Sequence, residues 1–135
     1  MQVSSGKKFS LMARMKSFKF ASRGIAIVLR SQHNLWIHLS ALIIVIAAGF
    51  FFRITPAEWC IILLSSALVI CMEIMNTALE FLVDFISPGY HEKAGEIKDL
   101  SAAAVLVSAI FALIIGVLIF GPYIMTLVAP SSALK

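Results

Sequence analysis

Long stretches of this sequence carry no charge at all. No Asp, Glu, Lys or Arg falls between Gln32 and Phe52, between Trp59 and Met72, or between Leu100 and Leu134. Charged residues make up 13% of the 135-residue chain and hydrophobic residues 61%, against about 25% and roughly 45–50% in soluble domains. A soluble fold of this size buries only about two-thirds of its surface, so it has no room for that much apolar side chain. Cysteine is also scarce. Cys60 and Cys71 both lie in an apolar stretch, and on one helix they stand about 16 Å apart, too far to bond each other. They read as packing residues. These absences exclude a soluble enzyme, a disordered tail, a disulfide-stapled secreted domain and a nucleic-acid binder. What remains is one domain of an integral membrane protein, with apolar segments matching the about 20 helical residues that cross a bilayer.

The first 30 residues lack any acid but hold Lys7, Lys8, Arg14, Lys16, Lys19, Arg23 and Arg30, a charge of +7. The other 105 residues hold 4 bases and 7 acids, or −3, restoring the net +4. A basic block beside membrane spans reads as cytoplasmic and drawn to anionic headgroups. No aromatic stacking surface or folded module accompanies it, so nucleic acid is not its partner.

Residues 1–8 read as a flexible basic terminus, 9–128 as a single membrane domain and 129–135 as a disordered tail. Within the domain, 9–30 reads as an amphipathic helix on the membrane surface. Leu11, Met15, Phe18, Ile25 and Leu29 share one face, with Lys16, Lys19, Arg23 and Arg30 opposite. Gly24 marks a possible bend. Three spans follow, at about 35–52, 57–86 and 100–128, with Trp36 as an interface anchor. Pro56 suits the start of the second span. Ser87-Pro88-Gly89 ends it, a polar loop runs from Tyr90 to Asp99, and Gly121-Pro122 frays or kinks the end of the third span. The fold class is therefore all-α, with a surface helix and three transmembrane helices. The bases place the amino terminus and the Lys93/Lys98 loop inside and the carboxyl terminus outside.

The second span is apolar in its outer half but carries Glu73, Asn76, Thr77, Glu80 and Asp84 in its inner half. At offsets 0, 3, 4, 7 and 11 they form one polar stripe within about 100° of arc. Each ionisable group at membrane depth costs about 2.5–3.5 kcal/mol on insertion scales. A structural seam between helices needs only Asn or Thr, and three acids repel each other. The stripe instead reads as a site for cations or proton transfer. Glu80 and Asp84 sit near the cytoplasmic interface, and Glu73 lies about 10 Å deeper than Glu80, placed to act as a general base. Lys98 and Asp99, across the loop, read either as a cap and interface anchor or as the other wall of the same site. Lys is a point charge for phosphate, and carboxylates with retained water are how Mg²⁺ is held beside phosphates. His33 and His38 are too scattered for a zinc site and read as helix-end or interface residues.

The string Glu73-Ile-Met-Asn76-Thr77-Ala-Leu-Glu80-Phe-Leu-Val-Asp84, with Tyr90-His91, Ala94-Gly95 and Lys98-Asp99 before Ser-Ala-Ala-Ala-Val, resembles the prokaryotic diacylglycerol kinases, a family that includes the undecaprenol kinases. The likeness spans about residues 16–125. It implies a lipid kinase of the cell (cytoplasmic) membrane that uses ATP and Mg²⁺, acts on diacylglycerol or undecaprenol, and assembles as a homotrimer with sites between subunits. It implies Glu73 as proton acceptor for the lipid hydroxyl and Glu80 as a ligand of metal and nucleotide. Gly89, Tyr90, His91, Lys98 and Asp99 would contact the nucleotide, and Asn76 and Asp84 would support the site. Two positions depart from the family pattern. A second metal-ligand glutamate falls on Gln32, which leaves only a carbonyl oxygen to bind metal. A nucleotide- and lipid-contacting arginine falls on Ala13, with Arg14 beside it. Asn34-Leu-Trp-Ile-His38 is more similar to the undecaprenol kinases. No Walker A or G-x-G-x-x-G loop is present, so phosphoryl transfer here would rest on Mg²⁺, carboxylates and Lys98. The competing classes are a small oligomeric channel or transporter, whose polar stripe would cross the full membrane, and a non-catalytic subunit, which has no use for Glu73.

Overall fold

The structure is a computed structural model, and it describes residues 10–128. The basic terminus and the carboxyl-terminal tail anticipated from the sequence lie outside the described residues. Four helices follow in order: α1 (Leu11–Ser31), α2 (His33–Phe52), α3 (Pro56–Ile86) and α4 (Glu92–Val128). The last three are long and apolar enough to cross a membrane.

The turns have local causes. Gln32, in extended conformation, is the single residue between α1 and α2. The Trp36 indole N–H reaches back 3.1 Å to the Leu29 carbonyl and braces that elbow. At the opposite end Arg53 closes α2 in the left-handed conformation, φ 53° and ψ 49°, and its N–H returns to the Gly49 and Phe50 carbonyls. Thr55 then starts α3 with a reciprocal cap. Its hydroxyl accepts from the Glu58 N–H, and its own N–H donates to Glu58 Oε2 at 2.7 Å, with Pro56 at the first helical position. The Tyr123 hydroxyl donates to the same Glu58 oxygen at 2.9 Å, which ties α4 to the start of α3.

Beside this clamp lies the apolar core. Ile54, Ile62 and Phe120 are buried, with Phe52, Trp59 and Tyr123 packed against them. Phe52 stacks obliquely on Phe120 and Tyr123, with ring centroids 6.0 and 5.7 Å apart. Gly49 is required here, because a Cβ would lie 2.6 Å from Trp59 Cη2 and 3.2 Å from Ile54 Cδ1. Gly116 of α4 is the converse, since a Cβ there meets nothing within 4 Å. Gly49→Val is therefore expected to destabilise the fold by about 1–3 kcal/mol through overpacking, whereas Gly116→Ala leaves the melting temperature unchanged or raises it. Thermal unfolding in detergent checks the pair, and equal melting temperatures would contradict the packing described.

Two boundaries differ from the sequence expectation. α4 begins at Glu92, not near 100, so most of the segment read as the loop Tyr90–Asp99 is helical. Hydropathy marks where a helix enters lipid, and a charged opening such as Glu92-Lys93-Ala94-Gly95-Glu96 helps a helix start in water. Lys93 pairs with Glu96 at 2.9 Å on that first stretch. α4 also continues through Gly121 and Pro122 to Val128 instead of fraying. Tyr123, next to that proline, is held by Glu58 and Phe52, which fixes the turn. Likewise α1 is helical through Gly24.

The side chains are arranged inside out relative to a soluble protein. Phe18, Ile43, Phe50, Leu64, Phe85, Leu113 and many other large apolar groups face outward. Glu73, Asn76, Thr77, Ser101 and Ser108 are buried.

Candidate active site

The polar stripe of α3 faces α4 and the α1–α2 elbow. Its floor is the deepest part. Glu73 and Thr77 are each 1% exposed. The Thr77 hydroxyl is spent on the Glu73 backbone carbonyl at 2.9 Å, a bond that i, i+4 spacing gives any helical threonine. Glu73 Oε1, in contrast, has no hydrogen-bond partner among the described residues. A buried carboxylate without partners is costly. This one opens into a cavity of about 250 Å³ between α2, α3 and α4, whose polar lining is Glu73, Asn76, Asn34 and His38.

About 10 Å nearer the basic end, Glu80 is held from two sides. The Asn76 amide donates to Oε1 and the Gln32 amide to Oε2, both at 3.0 Å. The Asn76 carbonyl oxygen accepts from the Ser101 hydroxyl at 2.6 Å, and that hydroxyl also lies 2.8 Å from the Lys98 carbonyl. One turn further out, Lys98 pairs with Asp84 at 2.9 Å, both partly exposed. Gln32, Asn76, Glu80, Ser101, Lys98 and Asp84 thus form a chain of polar contacts linking α1–α2, α3 and α4.

The sequence candidates divide cleanly in this protomer. Gln32, Glu80, Asn76, Asp84 and Lys98 are brought together, with Glu73 beneath them. Gly89, Tyr90 and His91 lie exposed in the connection from α3 to α4, Tyr90 at 99%. Asp99 is exposed at the same end of α4. Arg14 lies roughly 25 Å from the elbow along α1. Two residues were not anticipated. Ser101 bridges Asn76 to α4, and a lone serine in an apolar helix gives no local signal. His38 lines the Glu73 cavity, whereas its sequence position pointed only to a helix end.

This hydrogen-bonded cluster, partly exposed at Lys98 and Asp84, gathers charged groups at one level of an apolar helix bundle, where they are costly. The prokaryotic diacylglycerol kinase family profile matches residues 19–120, which include every residue of this cluster. The chain belongs to the prokaryotic diacylglycerol kinase family. It is 40% identical to the undecaprenol kinase of Bacillus subtilis (strain 168) over 107 residues, covering 79% of this chain and 87% of that one. It is 36% identical to a diacylglycerol kinase of Synechocystis over 112 residues, 82% of this chain and 64% of the relative. A diacylglycerol kinase of Escherichia coli (strain K12) is 47% identical over 55 residues, 40% and 45% of the two chains. Family membership makes the chain a membrane phosphotransferase of the lipid kinase type and removes the channel and non-catalytic readings. A dry far end, filled by Ile54, Ile62 and Phe120, fits that outcome, since it offers ions no polar path.

The donor set also bears on metal. Among the described residues no three His, Cys, Asp or Glu side chains gather to hold an ion. Glu80 is the one carboxylate in direct contact with position 32, and Gln32 meets it with its amide nitrogen. Such a set fits a Mg²⁺ that arrives on phosphates, which commonly needs only one or two protein carboxylates.

Proposed function

We propose that this protein transfers the γ-phosphoryl group of ATP to the hydroxyl of a membrane lipid, diacylglycerol or undecaprenol, at the cytoplasmic face of the cell membrane. The observation that carries the reading is Glu73, a buried carboxylate with an unpartnered oxygen, on the wall of a cavity next to the polar cluster around Glu80. The lipid hydroxyl enters that cavity and Glu73 takes its proton. The lipid oxygen forms a bond to the γ-phosphorus as the bond from that phosphorus to the β-phosphate oxygen breaks, leaving ADP and a lipid phosphate. Asn76 and Gln32 fix the Glu80 carboxylate by their amides, and Glu80 with the Gln32 carbonyl would hold a Mg²⁺ brought by the nucleotide. When bound, Mg²⁺ neutralises charge developing on the phosphates. Lys98, steadied by Asp84, supplies a second positive charge to them. Gly89, Tyr90, His91 and Asp99 contact the nucleotide and Arg14 supports the site. In one protomer Arg14 lies far along α1 from Glu80, which supports sites completed where subunits meet, in the homotrimer that the family resemblance implies. The basic α1 faces the cytoplasm and the end of α4 faces outward.

The full chain in mixed micelles with labelled ATP and Mg²⁺ is expected to label diacylglycerol or undecaprenol. Turnover of neither would end the kinase reading.

A further inference from the structure

A base that takes a proton in every cycle must also lose one. Each transfer leaves a proton on Glu73, which is 1% exposed and whose Oε1 has no hydrogen-bond partner among the described residues. The proton therefore needs a carrier out of the cavity. The neighbours on α3 are occupied: the Thr77 hydroxyl is bound to the Glu73 carbonyl, and the Asn76 amide is divided between Glu80 and Ser101. α4 faces the cavity with Ala102, Val105, Leu106 and Ala109, none of which titrates. On α2 the lining includes His38, half-buried, whose imidazole makes no hydrogen bond with the other described residues. Charge singles out the same residue. The groups whose charge acts on the Glu73 carboxylate are His38 and Glu80, and of these Glu80 is an anion pinned by Gln32 and Asn76. One turn toward the elbow, about 6 Å along α2, Asn34 lines the same cavity and is exposed.

We propose that His38 resets the base, carrying the proton of Glu73 out of the cavity after each phosphoryl transfer. The inference rests on the lipid kinase reading with Glu73 as its base, and adds what readies that base for the next substrate. The Glu73 O–H bond breaks as an N–H bond forms on the neutral imidazole, directly or through water, for which a cavity of about 250 Å³ has room. The imidazolium then releases a proton from its other ring nitrogen to water on the Asn34 side. Carboxylate and neutral imidazole are both restored, and the proton ends in the buffer. Histidine suits the task because it exchanges protons near neutral pH through two distinct nitrogens. His38 acts through Glu73 and is a positioning residue for the charge state of the base.

A relay of this kind is needed only from the second turnover onward, which gives the test. The full chain in mixed micelles is mixed rapidly with labelled ATP, and lipid phosphate is followed through the first cycle and into the steady state. His38→Ala is expected to form its first lipid phosphate per site at the wild-type rate and then slow about tenfold. Imidazole added to the buffer is expected to restore the later rate in a saturable way. His38→Gln keeps a donor and an acceptor but carries no proton at neutral pH. It is expected to show the same burst and slow phase, which keeps the test intact if the alanine variant folds poorly. Steady turnover at the wild-type rate in His38→Gln would overturn the relay and send the proton out on the lipid phosphate. A first turnover slowed as much as the later ones would also overturn it, by making His38 a structural or substrate contact. Either result, with wild-type protein active, leaves the kinase reading standing. Wild-type protein that labels no lipid would end that reading and the relay with it.

Discussion

Glu73→Gln is expected to lower kcat by about 10²–10⁴-fold, the range that a positioned general base contributes, while the KM for ATP stays near its wild-type value. The side chains are nearly the same size, so the buried wall of the cavity keeps its shape. What changes is proton acceptance, because a neutral amide cannot take the hydroxyl proton. Glu73 also lies about one and a half turns of axial rise deeper than the Asn76–Glu80 contacts, and no hydrogen bond joins its carboxylate to them. Nucleotide binding should therefore be spared, which displacement of a fluorescent nucleotide measures directly. Near-normal kcat in the variant would move the base elsewhere, with Asp99 the next carboxylate to try.

The second large effect is expected at the Gln32–Glu80 contact. Glu80→Gln removes the carboxylate nearest the proposed phosphate site and should cost at least the roughly 10–100-fold typical of residues one layer out from a metal. Gln32→Glu acts in the opposite sense. Without divalent ions it sets two carboxylates where an amide now donates at 3.0 Å, and the repulsion should loosen the α1–α2 elbow and lower the melting temperature. With Mg²⁺ both acids become ligands, so the concentration needed for half-maximal activity should fall about tenfold, equivalent to about 1.4 kcal/mol. Mg²⁺-dependent thermal stabilisation should shift in parallel, because a ligand that binds only the folded state stabilises it. Superimposable Mg²⁺ titrations of wild type and Gln32→Glu would remove position 32 from the metal site.

The sequence made the α3 stripe legible because its signal is periodic. Glu73, Asn76, Thr77, Glu80 and Asp84 share one helical face whatever surrounds them, and burial of the first, second and third follows from facing α4. The starts of α2 and α3 were legible for similar local reasons, a charge-free run and Pro56. The start of α4 was not, since Glu92–Asp99 look like loop on a hydropathy scale and like a good helix opening on a propensity scale. The pairings of Gln32 with Glu80 and of Ser101 with Asn76 bridge 48 and 25 residues. No single-sequence pattern reports contacts at that separation. His38 was passed over because a lone histidine in an apolar helix acquires meaning only from the Glu73 it meets across the bundle.

The aromatic knot around Phe52 and Phe120, clamped by Tyr123 on Glu58, fastens α3 and α4 together at one end. At the other end they are joined by the exposed five-residue connection 87–91 and the polar bridges at Ser101 and Lys98. The pair is thus built like tongs riveted at the far end. From Phe120 to Lys98 is 22 residues, roughly 33 Å of helix, so a splay of about 5° at the rivet opens the tips by roughly 3 Å. That is the thickness of a hydrogen bond. A strain too small to disturb the knot is enough to make or break the contacts of Lys98, Asp84 and Ser101, so the polar end is the one more easily parted.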